Sequence, residues 1–135
     1  MKCRAFEYYS REWRIAVLQA KGIKYESTSS VRKHNRAVDR YRRIARIIGE
    51  MYPERIEQFA ENMKDENEEI RISAAVCLVE LMPHTEDHLS KAKSIVSEHI
   101  SYYLSIPETD ISWNWWLSQP WADESNCVDY HSSDQ

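Results

Sequence analysis

The sequence predicts an all-α protein: a single-domain antiparallel helical stack of about five main helices, with a short helix near the C-terminus. Apolar residues recur at steps of three and four through five separate stretches, the period of one helical face. Only two glycines, Gly22 and Gly49, occur in 135 residues, where average usage of about 7% gives roughly nine. No Asn-Gly or Asp-Gly pair, the strongest local hairpin signal, is present. The scarcity of glycine also excludes a glycine-rich phosphate loop.

The first helix is predicted over about Arg4 to Lys21, since Phe6, Tyr9, Trp13, Ala16, Val17 and Ala20 fall on one face, with Gly22 as its C-terminal cap. The second runs from about Val31 to Ile48, with Ser30 as N-cap, Val31, His34, Val38, Tyr41, Ala45 and Ile48 as its stripe, and Gly49 ending it. Tyr52-Pro53 opens a third helix, because proline is tolerated at a first helical position, and Ile56, Phe59, Ala60 and Met63 form its apolar side. The fourth, about Glu68 to Met82 with Asn67 as cap, is apolar on two sides. Ile70, Ala74, Cys77, Leu78 and Leu81 form one stripe, and Ile72, Ala75, Val76 and Val79 form the other, as a central buried helix requires. Pro83 stops it. Thr85 caps a fifth helix carrying Leu89, Ala92, Ile95, Val96, His99, Ile100 and Tyr103, which reaches about Leu104 before Pro107. A short helix capped by Asp110 is expected around Trp113, with the helical domain spanning 1–119 and a polar tail spanning 120–135.

Size and composition narrow the function classes. At 42% hydrophobic residues, a chain this long buries roughly two thirds of its unfolded surface and needs no metal or disulfide to fold. No apolar run approaches the ~20 residues of a membrane span, and the first residues lack a signal peptide's apolar centre, so a cytoplasmic protein is expected. Cys3, Cys77 and Cys127 are far apart and odd in number, which fits free thiols better than a disulfide framework or a zinc ribbon. Residues 1–46 carry thirteen Lys or Arg against four Asp or Glu, while the remainder carries five against eighteen.

Few residues form a pattern that supports catalysis. His84 and His88 are four apart, but Thr85 as N-cap leaves His84 outside the helix, so the rings do not share a face as a zinc pair requires. A solvated helix start is the expected setting for both. His34 and His99 sit on apolar faces, where a packed, hydrogen-bonded histidine is commoner than a catalytic one. Asp65, Glu66, Glu68 and Glu69 occupy one turn and the following first coil, where they favour a helix N-terminus electrostatically. No serine or cysteine stands in a nucleophile signature. No cofactor and no metal are expected.

Two features invite a partner. Arg32, Arg36, Arg40 and Arg43 follow one another along the second helix, with Lys33, Arg42 and Arg46 beside them. The expected role is internal: Arg36 and Arg40 pairing with Asp39 and with acids of helices three to five. A grip on nucleic acid is the other reading. Trp113, Trp115, Trp116 and Trp121 lie within nine residues. They are read as a clamp closing the end of a helical stack, with some rings available to a partner. A membrane-interface role is disfavoured by Asp110, Asp123 and Glu124.

The segment Lys64-Asp65-Glu66-Asn67-Glu68-Glu69-Ile70-Arg71-Ile72-Ser73-Ala74-Ala75 resembles the helix-turn-helix junction of HEAT-like repeats. There an acidic turn caps the second helix, an aliphatic residue followed by arginine begins it, and small alanines permit close packing. Upstream, His34-Asn35-Arg36 and Asp39-Arg40-Tyr41 resemble the first helix of a small bacterial HEAT-like family, some of whose relatives look like immunity proteins of polymorphic toxins. The resemblance covers about 31–100. It implies a non-enzymatic immunity protein that binds a cognate toxin, a basic nuclease domain being the favoured partner because charge complementarity speeds capture. The alternatives are a nucleic-acid-binding HEAT-like module using the basic helix and a general protein-interaction adaptor. The expected partner surface comprises Glu61, Asp65, Glu66, Glu68 and Glu69, joined by Trp113, Trp116, Trp121, Asp123 and Glu124.

Overall fold

The structure is a computed structural model and describes residues 5–22 and 27–102, with side chains as far as Glu98. Five α-helices follow in order: α1 (Phe6–Gly22), α2 (Thr28–Met51), α3 (Ile56–Ala60), α4 (Glu68–Leu81) and α5 (Glu86–Tyr102). Short 3₁₀ turns, Pro53–Arg55 and Glu61–Lys64, flank α3, and no strand occurs among the described residues. The all-α stack expected from the periodicity is therefore what the described residues form. The expected helix near Trp113 and the tail 120–135 lie outside the described residues.

Helix α1 buries Phe6, Trp13, Ala16, Val17 and Ala20, the stripe that its spacing defines. Gly22 is its last residue and no glycine has a positive φ, so it does not act as the left-handed cap expected of it. Helix α2 begins earlier than its stripe indicates. Ser27, in extended conformation, is the N-cap, and Ser30 is its partner in a capping box: each side chain accepts from the other's backbone N–H. Ser30 was the better-looking cap because it directly precedes the first apolar residue, yet the reciprocal pair satisfies two otherwise orphaned donors.

Gly49 does not end α2, which continues to Met51. A Cβ at this position would lie 3.1 Å from the Leu81 carbonyl oxygen and 3.1 Å from Met82 Cγ. The end of α4 passes against α2 here, so any side chain at this position would need Leu81 and Met82 to give by a few tenths of an ångström. The third helix is also not one continuous α-helix from Pro53. Proline opens a 3₁₀ turn, one α-helical turn follows, and the chain tightens again before Asp65. Ile56, Phe59, Ala60 and Met63 are buried all the same, because steps of three and four turn the same residues inward in either geometry.

Helix α4 matches its prediction closely. Asn67 Oδ1 accepts the backbone N–H of Ile70 at 3.2 Å, and Ile70, Ile72, Ala74, Ala75, Cys77, Leu78 and Val79 are buried around its circumference. It packs against α5 and also against α1, α2 and α3. At the centre the Trp13 ring meets Phe59 edge-to-face, centroids 4.9 Å apart, and Tyr41 at 6.5 Å, so α1, α2 and α3 share one aromatic contact above α4.

The close passage at Gly49 makes a specific demand. Gly49→Val is expected to lower stability by about 1–3 kcal/mol, since backbone at Leu81 and Met82 cannot step aside as a side chain can. Gly22→Ala, where a Cβ meets nothing within 4 Å, should be neutral or slightly stabilising. Thermal melts of the two variants check the contrast; an unchanged melt for Gly49→Val would mean that the two helices do not approach this closely.

Candidate functional site

The acidic junction between α3 and α4 is a braced turn. Arg14 Nη1, on α1, donates to Asp65 Oδ2 at 2.6 Å, and the Asn67 backbone N–H donates to Asp65 Oδ1 at 2.8 Å. Arg71 reaches back from the first turn of α4 to donate to the carbonyls of Asp65 and Glu66, at 2.9 and 3.1 Å. Asn62 and Asn67 close the two ends of the turn by bonding the Phe59 carbonyl and the Ile70 N–H. The turn is thus held to α1 and α4 at several points.

This bracing divides the predicted contact acids. Asp65 is committed: its carboxylate is engaged on both oxygens, and the hydrogen bond from Arg14, then the one from the Asn67 N–H, hold it below the usual carboxylate range. Glu66 is exposed and Glu61 is exposed beside Lys64, with which it pairs at 3.0 Å. Glu68 and Glu69 are half-buried on the first turn of α4. The structure therefore brings Glu61, Glu66, Glu68 and Glu69 to one junction, with Asp65 as the residue that fixes it. Trp113, Trp116, Trp121, Asp123 and Glu124 lie outside the described residues.

Beside this junction a groove of about 260 Å³ runs between α3 and α5, lined by Glu57, Glu61, Lys64, His88, Lys91 and Ser94 among others. His88 is buried in its floor and not solvated as expected; His84 is buried as well. The physical reason is a second capping pair. Thr85 Oγ1 accepts the His88 N–H, and His88 Nδ1 accepts the Thr85 N–H, each at 3.2 Å, which draws the imidazole under the start of α5. With Nδ1 accepting, Nε2 carries the hydrogen and donates to Glu57 Oε1 at 2.6 Å. Both ring nitrogens are engaged, so this imidazole joins α5 to α3. His84 Nδ1 donates to the Met82 carbonyl at 3.0 Å, and its Nε2 is buried with no partner among the described residues. Neither position was legible as buried in the sequence: His88, at N3 of its helix, reads as a polar residue on a first turn, and His84 as part of the loop before the cap. His34 does fit its expected setting: it is half-buried, with a ring nitrogen bonded to the Ala20 carbonyl at 3.0 Å.

The arginines of α2 pair differently from expectation. Arg40 pairs with Glu12 of α1, and Arg42 with Glu80 of α4 at 3.0 Å. Among the described residues neither Arg36 nor Asp39 makes an ion pair. Helix α1, whose few acids attracted no attention in the sequence, is the nearer partner because it packs along α2.

Two buried groups respond to alkali. Burial pushes the Cys77 thiol up to about 12, opposed by the Trp13 indole N–H, which has no other partner among the described residues. Burial pushes the Tyr41 phenol up to about 12 as well, with Cys77 adding to the shift and a hydrogen bond from Ser73 opposing it. Raised values mean that the folded state favours the neutral forms. That stability is complete below the unfolded thiol's value near 9 and falls as pH rises from there towards 12. Asp65 gives the opposite limb: its contribution is complete above the ordinary carboxylate range and is lost as pH falls below it. Urea unfolding across pH should show both limbs, Cys77→Ala shrinking the alkaline one and Asp65→Asn the acid one. An Asp65→Asn chain with an unaltered acid limb would show that Arg14 does not hold that carboxylate. Comparison with family models, with curated proteins and with solved structures gives no match for this chain.

Proposed function

We propose that this chain is a non-enzymatic binding protein that captures and neutralises a cognate bacterial toxin, a basic nuclease domain being the partner that fits its chemistry. The observation that carries this reading is the braced turn. Glu61, Glu66, Glu68 and Glu69 project from backbone already held by Asp65, Asn67 and Arg71, so a partner has little chain to order on binding. Four carboxylates on one junction, one of them paired with Lys64, favour a basic surface and accelerate its capture. The toxin class comes from the HEAT-like resemblance. Trp113, Trp116, Trp121, Asp123 and Glu124 form a second part of the proposed contact, with aromatic rings of the kind that dominate binding energy.

Co-expression with the products of the neighbouring genes, assayed for a toxin that this chain neutralises, tests the reading. Glu61→Lys, Glu66→Lys and Glu69→Lys combined should leave the melt close to the parent's while slowing association at least tenfold at low salt and removing protection of the cells. Arg71→Ala should act by the other route, loosening the turn and lowering stability by about 1 kcal/mol with a smaller effect on association. Full protection by the triple-lysine variant would place the contact elsewhere.

A further inference from the structure

Helix α2 presents one face that the described fold leaves uncovered. Arg32, Arg36, Arg43 and Arg46 are exposed on it, and none of the four forms an ion pair among the described residues. On an α-helix Arg32, Arg36 and Arg43 fall within about 40° of one another, with Arg46 about 60° to the side, and the four span about 21 Å of axis. Lys33 and Arg40 stand on the other flank, where with Arg36 they line an open groove of about 530 Å³ between α2 and the end of α1. Asp39 and Glu50 lie on the same face among these four arginines, and Glu12 of α1, beside it, is engaged by Arg40. The described residues contain fifteen Lys or Arg and fifteen Asp or Glu. This concentration of cations is therefore a property of one face of an otherwise balanced body.

We propose that the exposed arginine face of α2, with its flanking groove, is a contact for the phosphate backbone of duplex nucleic acid. Guanidinium groups suit phosphate oxygens through paired N–H donors, and a helix holds them in a row with few degrees of freedom. The exposed residues of this face include no aromatic side chain on which an unpaired base could stack, which favours a duplex over a single strand. The inference is independent of the acidic junction, which lies on α3 and α4.

Fluorescence anisotropy of the full chain with a labelled 24-base-pair DNA duplex of arbitrary sequence tests it. The expected result at 50 mM salt is a Kd in the low micromolar range, weakening about 100-fold by 200 mM, the dependence that release of three or four counterions gives. Arg32→Gln, Arg36→Gln and Arg43→Gln combined should weaken binding at least tenfold and flatten the salt slope with an unchanged melt, whereas Lys91→Gln with Lys93→Gln on α5 should change it less than twofold. A Kd above 100 μM for the parent, or equal affinities for parent and triple variant, would overturn the proposal. So would equal or tighter binding of polyglutamate to the same arginines, which would make an acidic peptide the occupant. Residues 103–135 carry six Asp or Glu and no Lys or Arg. If the parent fails to bind DNA but a chain with those six acids changed to amides succeeds, the face belongs to that segment and the proposal falls.

Discussion

The complete burial of Trp13 is the constraint around which the helices are arranged. Its ring is fully inaccessible and lies against Phe59 and Tyr41, with the Cys77 thiol beside the indole nitrogen. One side chain of α1 therefore fixes distances to α2, α3 and α4 together. Truncation of a buried ring of this size typically costs about 3–5 kcal/mol, a large share of the 5–15 kcal/mol that a domain commonly has. The small residues near it follow from that placement. Ala16, Ala45, Ala74 and Ala75 are all fully buried, and they let helices come close where the aromatic cluster leaves little room.

The ion pairs act around this core as guides to position. Arg14 with Asp65, Arg40 with Glu12, Arg42 with Glu80 and Arg55 with Glu7 each join different elements, and three of the four involve α1. Partly exposed pairs of this kind contribute about 0–1 kcal/mol each. Their value lies in direction: Arg14 and Arg71 seize the turn before α4 from two sides, and Arg55 lies over the Phe6 ring at 5.1 Å while reaching Glu7. A short turn that would otherwise move freely is given one geometry, and its remaining carboxylates inherit that geometry.

The same pairing divides the surface into committed and available charge. Asp65, Glu12 and Glu80 are consumed in holding helices together, whereas Glu66 on the junction and Arg32, Arg36, Arg43 and Arg46 on α2 stand exposed. Exposed charges on rigid backbone bind partners without a large ordering cost. Acidic and basic surfaces on one small body suit different ligands, and here they lie on different helices.

Periodicity and capping in the sequence were enough to determine the helical class, the buried faces of α1 and α4, and the Asn67 cap, because each depends on residues within a few positions of one another. What tertiary structure decided was whatever required a neighbour from elsewhere in the chain. Gly49 reads locally as a helix end and proves to be a contact with Leu81 and Met82. His88 reads as solvated and is buried against Glu57, 31 residues away in sequence. Asp65 reads as one of five equivalent acids until Arg14, 51 positions earlier, singles it out. Arg36 and Arg40 read alike, yet only Arg40 meets Glu12, because pairing depends on which side of α2 the first helix lies along. Local patterns carry the information for secondary structure, since their energies are local. The fate of each charge is set by packing, since a carboxylate is spent or free according to what the fold brings within about 4 Å of it.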